Sequence, residues 1–485
     1  MKNAKRLLAC ATCILALLAG LVATPSAQAQ TFTTLFSFDY TPVGAQPFAT
    51  LVQANDGNLY GTTTTGGANL YYGTVFKITP GGTLTTLHSF DFTDGYYRYG
   101  VLVQATDGNF YDTTQEGGAT GNGTVFKISP SGNLATLYSF CAQSGCADGS
   151  LPHAGLIQAT DGNFYGTTFS GGANSYGTVF KIAPSGTLTT LYSFCSQSGC
   201  GDGSLPSAGL IQAVDGNFYG TTSSGGANRY YGTVFRITAS GTLTTLYSFC
   251  SQTNCADGAG PSGLVQAADG NLYGTTSGGG GSGISAGTVF KITPSGALTK
   301  LYSFCSQSGC TDGNFPAATL VQATDGNFYG TTDIGGVGGS YGTVFKVTPR
   351  GILTTLHRFD STDGANPYAG LVQDTNGNFY GTTLSGGASS TCTGGCGTVF
   401  SLSAGLGPFV ETQPTFGRAG KTVKILGTNL TGSTSVSFNG TAATFTVLSS
   451  SLITTTVPVG ATTGTVQVVT PHGTLSSNVP FRVLP

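Results

Sequence analysis

The carboxylates of this chain are unevenly divided: eighteen aspartates but only two glutamates, Glu116 and Glu411. Sugar-cleaving enzymes need two carboxyl groups held in different environments, one protonated and one ionised. Six of the aspartates open Asp-Gly-Asn triplets (Asp56, Asp107, Asp161, Asp215, Asp269, Asp325), and six more precede glycine in longer connections (Asp94, Asp148, Asp202, Asp257, Asp312, Asp363). Asp-Gly is turn chemistry, in which the carboxylate caps the turn and glycine takes positive φ. Copies in matching surroundings do not supply an acid/base pair. The connecting-loop aspartates are also where a calcium ion would bind, as the one cofactor that these residues could recruit.

The other reactive side chains are few. Of four histidines, His88 and His357 occupy the slot filled elsewhere by Tyr138, Tyr192, Tyr247 and Tyr302, so packing accounts for them. His472 lies in a hairpin, and His153 sits among the long connections without a Ser or Cys partner to make a triad. Gly278 to Gly283 matches G-x-G-x-x-G, but no helix follows to receive a phosphate. Ten of the twelve cysteines form close pairs: Cys141 with Cys146, Cys195 with Cys200, Cys250 with Cys255, Cys305 with Cys310, and Cys392 with Cys396. One pair per segment with no matching histidine is short of a zinc set, so disulfides closing small loops are expected and no metal site. Aromatic and cationic residues concentrate at Tyr71, Tyr72, Tyr96, Tyr97, Arg98 and Tyr99, and again at Arg229, Tyr230 and Tyr231. Such faces can stack on sugar rings or anchor a protein partner, or can pack over their neighbours.

These groups are carried by a repeat. Three signatures recur seven times, resembling DGNFYGTT, GTVFKI and TLTTLYSF. GTVF begins at Gly73, Gly123, Gly177, Gly232, Gly287, Gly342 and Gly397, a spacing of 50 to 55 residues. Within one unit, four short runs have strand character: GLIQA (209–213), NFYGTT (217–222), GTVFRIT (232–238) and TLTTLYSF (242–249). Four antiparallel strands at this period predict a β-propeller blade. The segment FTTLFSF (32–38) is an outermost strand with no blade before it, and the seventh unit ends at GTVFSLS (397–403) without one. The expected fold is therefore an all-β, seven-bladed propeller over residues 31–403, closed by its N-terminal strand, which removes exposed sheet edges. After a Gly/Pro linker at 404–408 the period is lost, and alternating runs over 409–485 predict a small β-sandwich.

Two resemblances follow from these motifs. Gly420, Asn429, Phe438-Asn439-Gly440, Val457-Pro458 and Thr470-Pro471-His472-Gly473 are arranged as in IPT/TIG immunoglobulin-like domains, which implies a spacer or interaction module at 409–485. DGNFYGTT, GGANSYGTVFKI and DGSLPHAGLIQ resemble the GloVer tandem repeats of exported bacterial proteins. That family brings no reaction, cofactor or catalytic residue. Its members are described as carrying a choice of C-terminal anchors, and this chain departs from that pattern, with no apolar tail or sorting signal before Pro485.

Residues 1–29 have a basic head (Lys2, Lys5, Arg6), an apolar run at 7–22 and a small-residue site at Ala27-Gln28-Ala29, which together predict a secretory signal peptide. Without it 15 basic residues face 20 acidic ones, a balance that excludes nucleic acid and anionic membrane as partners. No later run could span a bilayer as a helix. The sequence thus predicts a secreted, monomeric, non-catalytic binding protein of the cell envelope or extracellular space. Its glycan or protein ligand would meet the long-loop face. The alternative is a propeller enzyme, a polysaccharide lyase or hydrolase.

Overall fold

The computed structural model describes residues 30–97, 100–281 and 286–485; the predicted signal peptide lies outside them. Each repeat folds into one antiparallel four-stranded sheet in simple chain order. The fourth, for example, has strands Ile211–Gln212, Phe218–Thr222, Thr233–Ile237 and Leu243–Ser248. Seven sheets of this kind precede residue 404 among the described residues. The seventh takes its outermost strand from the N-terminus: Thr31–Ser37 pairs antiparallel with Thr398–Ser403. The innermost strand is shorter than GLIQA, since only two residues join the ladder in every sheet but the fifth, where it runs Ala259–Gln266. The preceding residues instead approach the innermost segments of neighbouring sheets. A Cβ at Gly155 would strike the Val101 backbone, which explains the glycine there.

The sheets are joined by the same contacts at each junction. The outermost-strand Phe of one sheet meets the third-strand Phe of the next edge-on, as in Phe194–Phe235 at 5.2 Å and Phe304–Phe345 at 5.0 Å. Phe38 of the seventh sheet meets Phe76 of the first in the same way at 5.3 Å. The innermost-strand Gln likewise accepts a turn N–H from the preceding sheet: Gln212 from Thr160 at 2.9 Å, and Gln53 of the first sheet from Thr375 of the seventh at 3.0 Å. Buried Phe, Tyr, Leu, Val and Ile fill each junction, including the one between the seventh and first sheets.

The Asp-Gly-Asn turns are capped as their composition predicts. Asp215 accepts the Asn217 N–H at 3.0 Å and the Tyr219 hydroxyl at 2.8 Å, while Gly216 has φ 84°. In four sheets a lysine joins as well, as Lys291 does on Asp269 at 3.0 Å. Partial burial works against ionisation of Asp107 and Asp269, but these donors prevail and hold both down to about 2.

Beyond the linker, two four-stranded sheets enclose a separate core containing Val423, Ile425, Val436, Phe438, Ile453 and Val468. This C-terminal unit rests on the Asp-Gly-Asn turns. Arg482 donates to the carbonyls of Ala213 (3.2 Å) and Val214 (2.8 Å) in the fourth sheet, and Thr428 bonds Thr375 of the seventh at 3.2 Å. Ser451 lies against Gly57 of the first sheet, and Lys424 reaches Gly108 of the second. Among the described residues no helix is long and apolar enough to cross a membrane.

Candidate functional site

A cavity of about 920 Å³ lies between the innermost segments, and all seven sheets contribute to its wall. The C-terminal unit touches turns of the fourth sheet and of the seventh, first and second, and so lies across one end of this cavity. The other end opens among the long connections. Most of the wall is backbone, Ala, Gly, Ser and small aliphatic residues, and no Asp, Glu, Lys or Arg lines it among the described residues.

One position of the repeat breaks the equivalence. It is filled by Phe48, His153, Ser207, Ala317 and Tyr368 in the first, third, fourth, sixth and seventh sheets, all on the cavity wall, while the fifth unit is one residue shorter there. In the second unit the same position is Tyr99, which lies outside the described residues. Among the described residues rings thus stand in the seventh, first and third units, and small residues in the fourth and sixth. Phe48 and Tyr368 hold their ring centroids 4.2 Å apart, and His153 stacks on Phe169 at 4.2 Å. Burial pushes the His153 imidazole down to about 4, so it is neutral at physiological pH. Gln115, Ser223 and Ser277 add polar groups to the wall. The candidate list missed Phe48, Tyr368 and Gln115; aligning the units by column rather than searching for motifs would have shown the first two.

The tyrosines singled out by composition fall into two groups. Tyr72, Tyr96 and Tyr97 meet: Tyr72–Tyr96 centroids are 5.3 Å apart and Tyr96–Tyr97 5.0 Å, with Phe92 5.8 Å from Tyr96. The Tyr96 hydroxyl donates to Glu116 at 2.6 Å, which raises its pKa to about 12. Tyr71 is 66% exposed, and Leu70, Phe92 and Tyr97 are exposed beside this cluster. Arg98 lies outside the described residues. Arg229, Tyr230 and Tyr231 belong to the fourth sheet and make no separate site with that cluster: Tyr231 packs into a sheet junction, Arg229 turns toward Gly199, and Tyr230 is 73% exposed.

All five expected cysteine pairs are disulfides. Cys141 is bonded to Cys146, Cys195 to Cys200, Cys250 to Cys255 and Cys305 to Cys310, each closing a connection between consecutive sheets. The fifth bond, from Cys392 to Cys396, lies inside the seventh unit, and there Cys396 is fully buried among the residues joining the seventh and first sheets. These cysteines therefore brace loops and are not ligands or nucleophiles. In the four CxxxxC loops both cysteines have left-handed backbone, as at Cys195 (φ 58°) and Cys200 (φ 56°), and equally at Cys146 (φ 53°), Cys255 (φ 50°) and Cys310 (φ 51°), a conformation costly for a non-glycine residue. The neighbouring aspartate holds it. Fully buried Asp202 accepts from the Tyr192 hydroxyl (2.8 Å), the Ser196 N–H (2.9 Å) and hydroxyl (2.9 Å), and the Gln197 N–H (3.2 Å). Its oxygens are taken by these donors. His88 and His357 do more than pack, since each bonds the loop aspartate of a connection lacking the CxxxxC disulfide: Asp94 at 2.6 Å and Asp363 at 2.8 Å. Among the described residues no three His, Cys, Asp or Glu side chains gather closely enough to hold a metal.

The fold is similar to that of a fungal alcohol oxidase of the AA5 family solved with copper, at 13% identity and TM-score 0.54, covering 94% of this chain and 99% of that one. Weaker likenesses include a luciferin-regenerating enzyme (12% identity, TM-score 0.41, 79% of this chain and 98% of that one). Another is a structural-genomics protein of unknown function from Bacteroides thetaiotaomicron (14% identity, TM-score 0.39, 78% and 98%). At these identities the likeness concerns the fold alone. No curated protein matches the chain. The repeat itself matches a family model, Gloeobacter/Verrucomicrobia repeat, in three overlapping segments at 19–157, 142–311 and 251–452. With most of its length so covered, the chain belongs to the Gloeobacter/Verrucomicrobia repeat family.

Proposed function

We propose that this is an exported, non-catalytic binding protein that takes an uncharged saccharide into the cavity from the long-loop face. In this reading residues 1–29 are a signal peptide, and residues 31–403 form a closed seven-bladed propeller. Residues 404–408 are a linker, and 409–485 an immunoglobulin-like IPT/TIG module that stops the far end of the bore. The junction between the seventh and first sheets supports closure, because it repeats the Phe–Phe and Gln–N–H contacts of the interior junctions. The disulfides support an oxidising compartment.

The observation that carries the ligand class is the one-sided distribution of rings around an otherwise repetitive wall. Phe48, Tyr368 and His153 offer flat apolar faces, while Ser207, Ser262, Ser223 and Ser277 stand on the other side. Sugars have apolar ring faces and hydroxyl edges that match such a division. A wall without charged groups among the described residues favours neutral sugars over uronic acids or phosphates. The exposed cluster of Tyr71, Tyr72, Tyr96 and Tyr97 extends the surface along which a longer chain would lie. The mature protein is a monomer in this reading.

The test is a glycan array followed by calorimetry on the mature protein, on the double variant Phe48→Ala with Tyr368→Ala, and on Tyr96→Ala with Tyr97→Ala. Neutral oligosaccharides should bind. The cavity variant should lose at least ~tenfold in affinity and the loop variant less, since each stacked ring contributes roughly 1 kcal/mol or more. Binding unchanged in both variants, or confined to acidic glycans, refutes the reading. Release of new sugar ends from a bound polysaccharide would favour the lyase or hydrolase instead.

A further inference from the structure

The seventh Asp-Gly-Asn turn is unlike the other six. Where Ala54, Ala105, Ala159, Ala213, Ala267 and Ala323 stand in the other units, it carries Asp374, and Asn376 takes the place of the capping aspartate. The turn remains closed, because Asn376 donates its amide to the Tyr380 hydroxyl at 3.0 Å and Asn378 donates its N–H to Asn376 at 2.8 Å. Asp374 is therefore not needed as a turn cap. It is 2% exposed; the Asn376 N–H reaches one face of the carboxyl at 2.8 Å, and Oδ2 has no hydrogen-bond partner.

The C-terminal unit brings a second carboxyl to this point. Its first strand, Glu411–Gln413, begins directly after Phe409, whose N–H donates to Thr375 at 3.0 Å, next to Asp374. Glu411, one of two glutamates in the chain, opens that strand, is half-buried, and feels the Asp374 charge. Burial raises both groups, Asp374 to about 6 and Glu411 to about 7, with Asp374 adding to the rise at Glu411. The other ionisable groups nearby do not neutralise them. Tyr380 also feels the Asp374 charge, and Lys424, on the strand beside that of Glu411, extends to Gly108 of the second sheet. Gln53, which reaches Thr375 from the first sheet, is neutral.

We propose that buried Asp374, with Glu411 on the docking strand near it, forms an acid-stabilised seat through which the C-terminal unit grips the seventh sheet. When Asp374 is protonated, its unpartnered oxygen carries no buried charge and like-charge repulsion with Glu411 is absent. As pH rises both ionise, and a buried Asp374 anion and a half-buried Glu411 anion meet at the junction. Groups whose docked pKa is raised stabilise docking fully below their free values. That contribution is lost as pH climbs through the docked ones, here between about 4 and about 7. Because the unit lies across one end of the cavity, loosening it would uncover that end in neutral and alkaline media.

Cleavage by one protease at the linker, whose Leu406 and Gly407 pack against Gly377 of the same turn, reports the seat in the intact mature protein. The quantity compared is the cleavage rate of wild type divided by that of Asp374→Ala at the same pH, which cancels the pH dependence of the protease. Alanine is the residue of the other six turns, so this variant keeps the local fold. The ratio should be near one at about pH 4.5 and rise ~tenfold or more by about pH 8, one pKa unit of differential protonation corresponding to tenfold. Glu411→Gln should flatten the profile as well. A ratio independent of pH, or full pH dependence in Glu411→Gln, overturns the proposal. So would calcium protecting wild type but not Asp374→Ala at about pH 8, since the pair would then hold a cation rather than a proton.

Discussion

If the seven sheets close into a ring, no junction is an end, and the same substitution should cost the same at each of them. Phe38→Ala and Phe194→Ala test this directly. Both rings are fully buried; Phe38 meets Phe76 at 5.3 Å edge-on, and Phe194 meets Phe235 at 5.2 Å. Their backbones are held alike, with the Phe38 N–H on Gly397 O at 3.0 Å and the Phe194 N–H on Gly177 O at 2.9 Å. Deleting a buried Phe costs about 3–5 kcal/mol through lost burial and the cavity left behind. The edge-to-face pair accounts for ~0.5–1.5 kcal/mol of that. In a closed ring both variants fall in this range. In an open array Phe38 would lie on a frayed terminal strand, and its loss would cost about 1 kcal/mol or less. Urea unfolding followed by far-UV circular dichroism, with wild type alongside, gives both values. A Phe38→Ala cost below about a third of the Phe194→Ala cost would refute closure through the N-terminal strand.

Three further outcomes are expected. Asp202→Ala should destabilise by about 2–4 kcal/mol, because it removes the buried acceptor that the Tyr192 hydroxyl and two backbone N–H groups of the left-handed loop share, whereas replacing Cys195 and Cys200 by serine should cost at most about 2 kcal/mol for so short a loop; urea midpoints of the two variants give the order. Asp107 and Asp269 have folded pKa values depressed to about 2, so their contribution is complete above about 4 and lost as pH falls toward about 2. Unfolding free energies measured across that window should fall with acidity, and less steeply in Asp269→Asn. Gly220→Val should cost about 1–3 kcal/mol by overpacking, since even a Cβ there would lie 2.6 Å from the Phe235 ring and 2.8 Å from Leu210; thermal unfolding should show the loss.

The strands and their order were legible because each repeat states its own alternation, turns and breaks, and these are local matters. Thr233–Ile237 and Leu243–Ser248 fall inside the runs read from composition, as do the Asx turns at Asp215 and its equivalents. Pairing of Thr31–Ser37 with Thr398–Ser403 was also foreseeable by counting, since one outermost strand was missing at one end and present at the other. Cysteines as close as Cys141 and Cys146, or Cys392 and Cys396, needed no tertiary knowledge to be paired.

What the sequence left open depended on distance in space. Asp202 and Asp215 are both aspartates before glycine, yet one is a fully buried anchor for a left-handed loop and the other a partly exposed turn cap. His88 and His357 stand in the tyrosine slot, but that each bonds its loop aspartate, Asp94 or Asp363, as Tyr192 bonds Asp202, emerged only from the fold. The ring-bearing side of the cavity is built from residues some fifty positions apart or at opposite ends of the repeat region, such as Phe48 and Tyr368, and only the meeting of the seventh and first sheets makes them neighbours. The contacts of Thr375 with Phe409 and Thr428 are more remote still from the local pattern, because they exist only where a second folded unit lies on the first. Repetition determined the elements and their order, since hydrogen-bonding pattern and turn chemistry act over a few residues. Charge environment and the cavity wall were decided by the tertiary structure, because burial and Coulomb interactions depend on which units come to lie together.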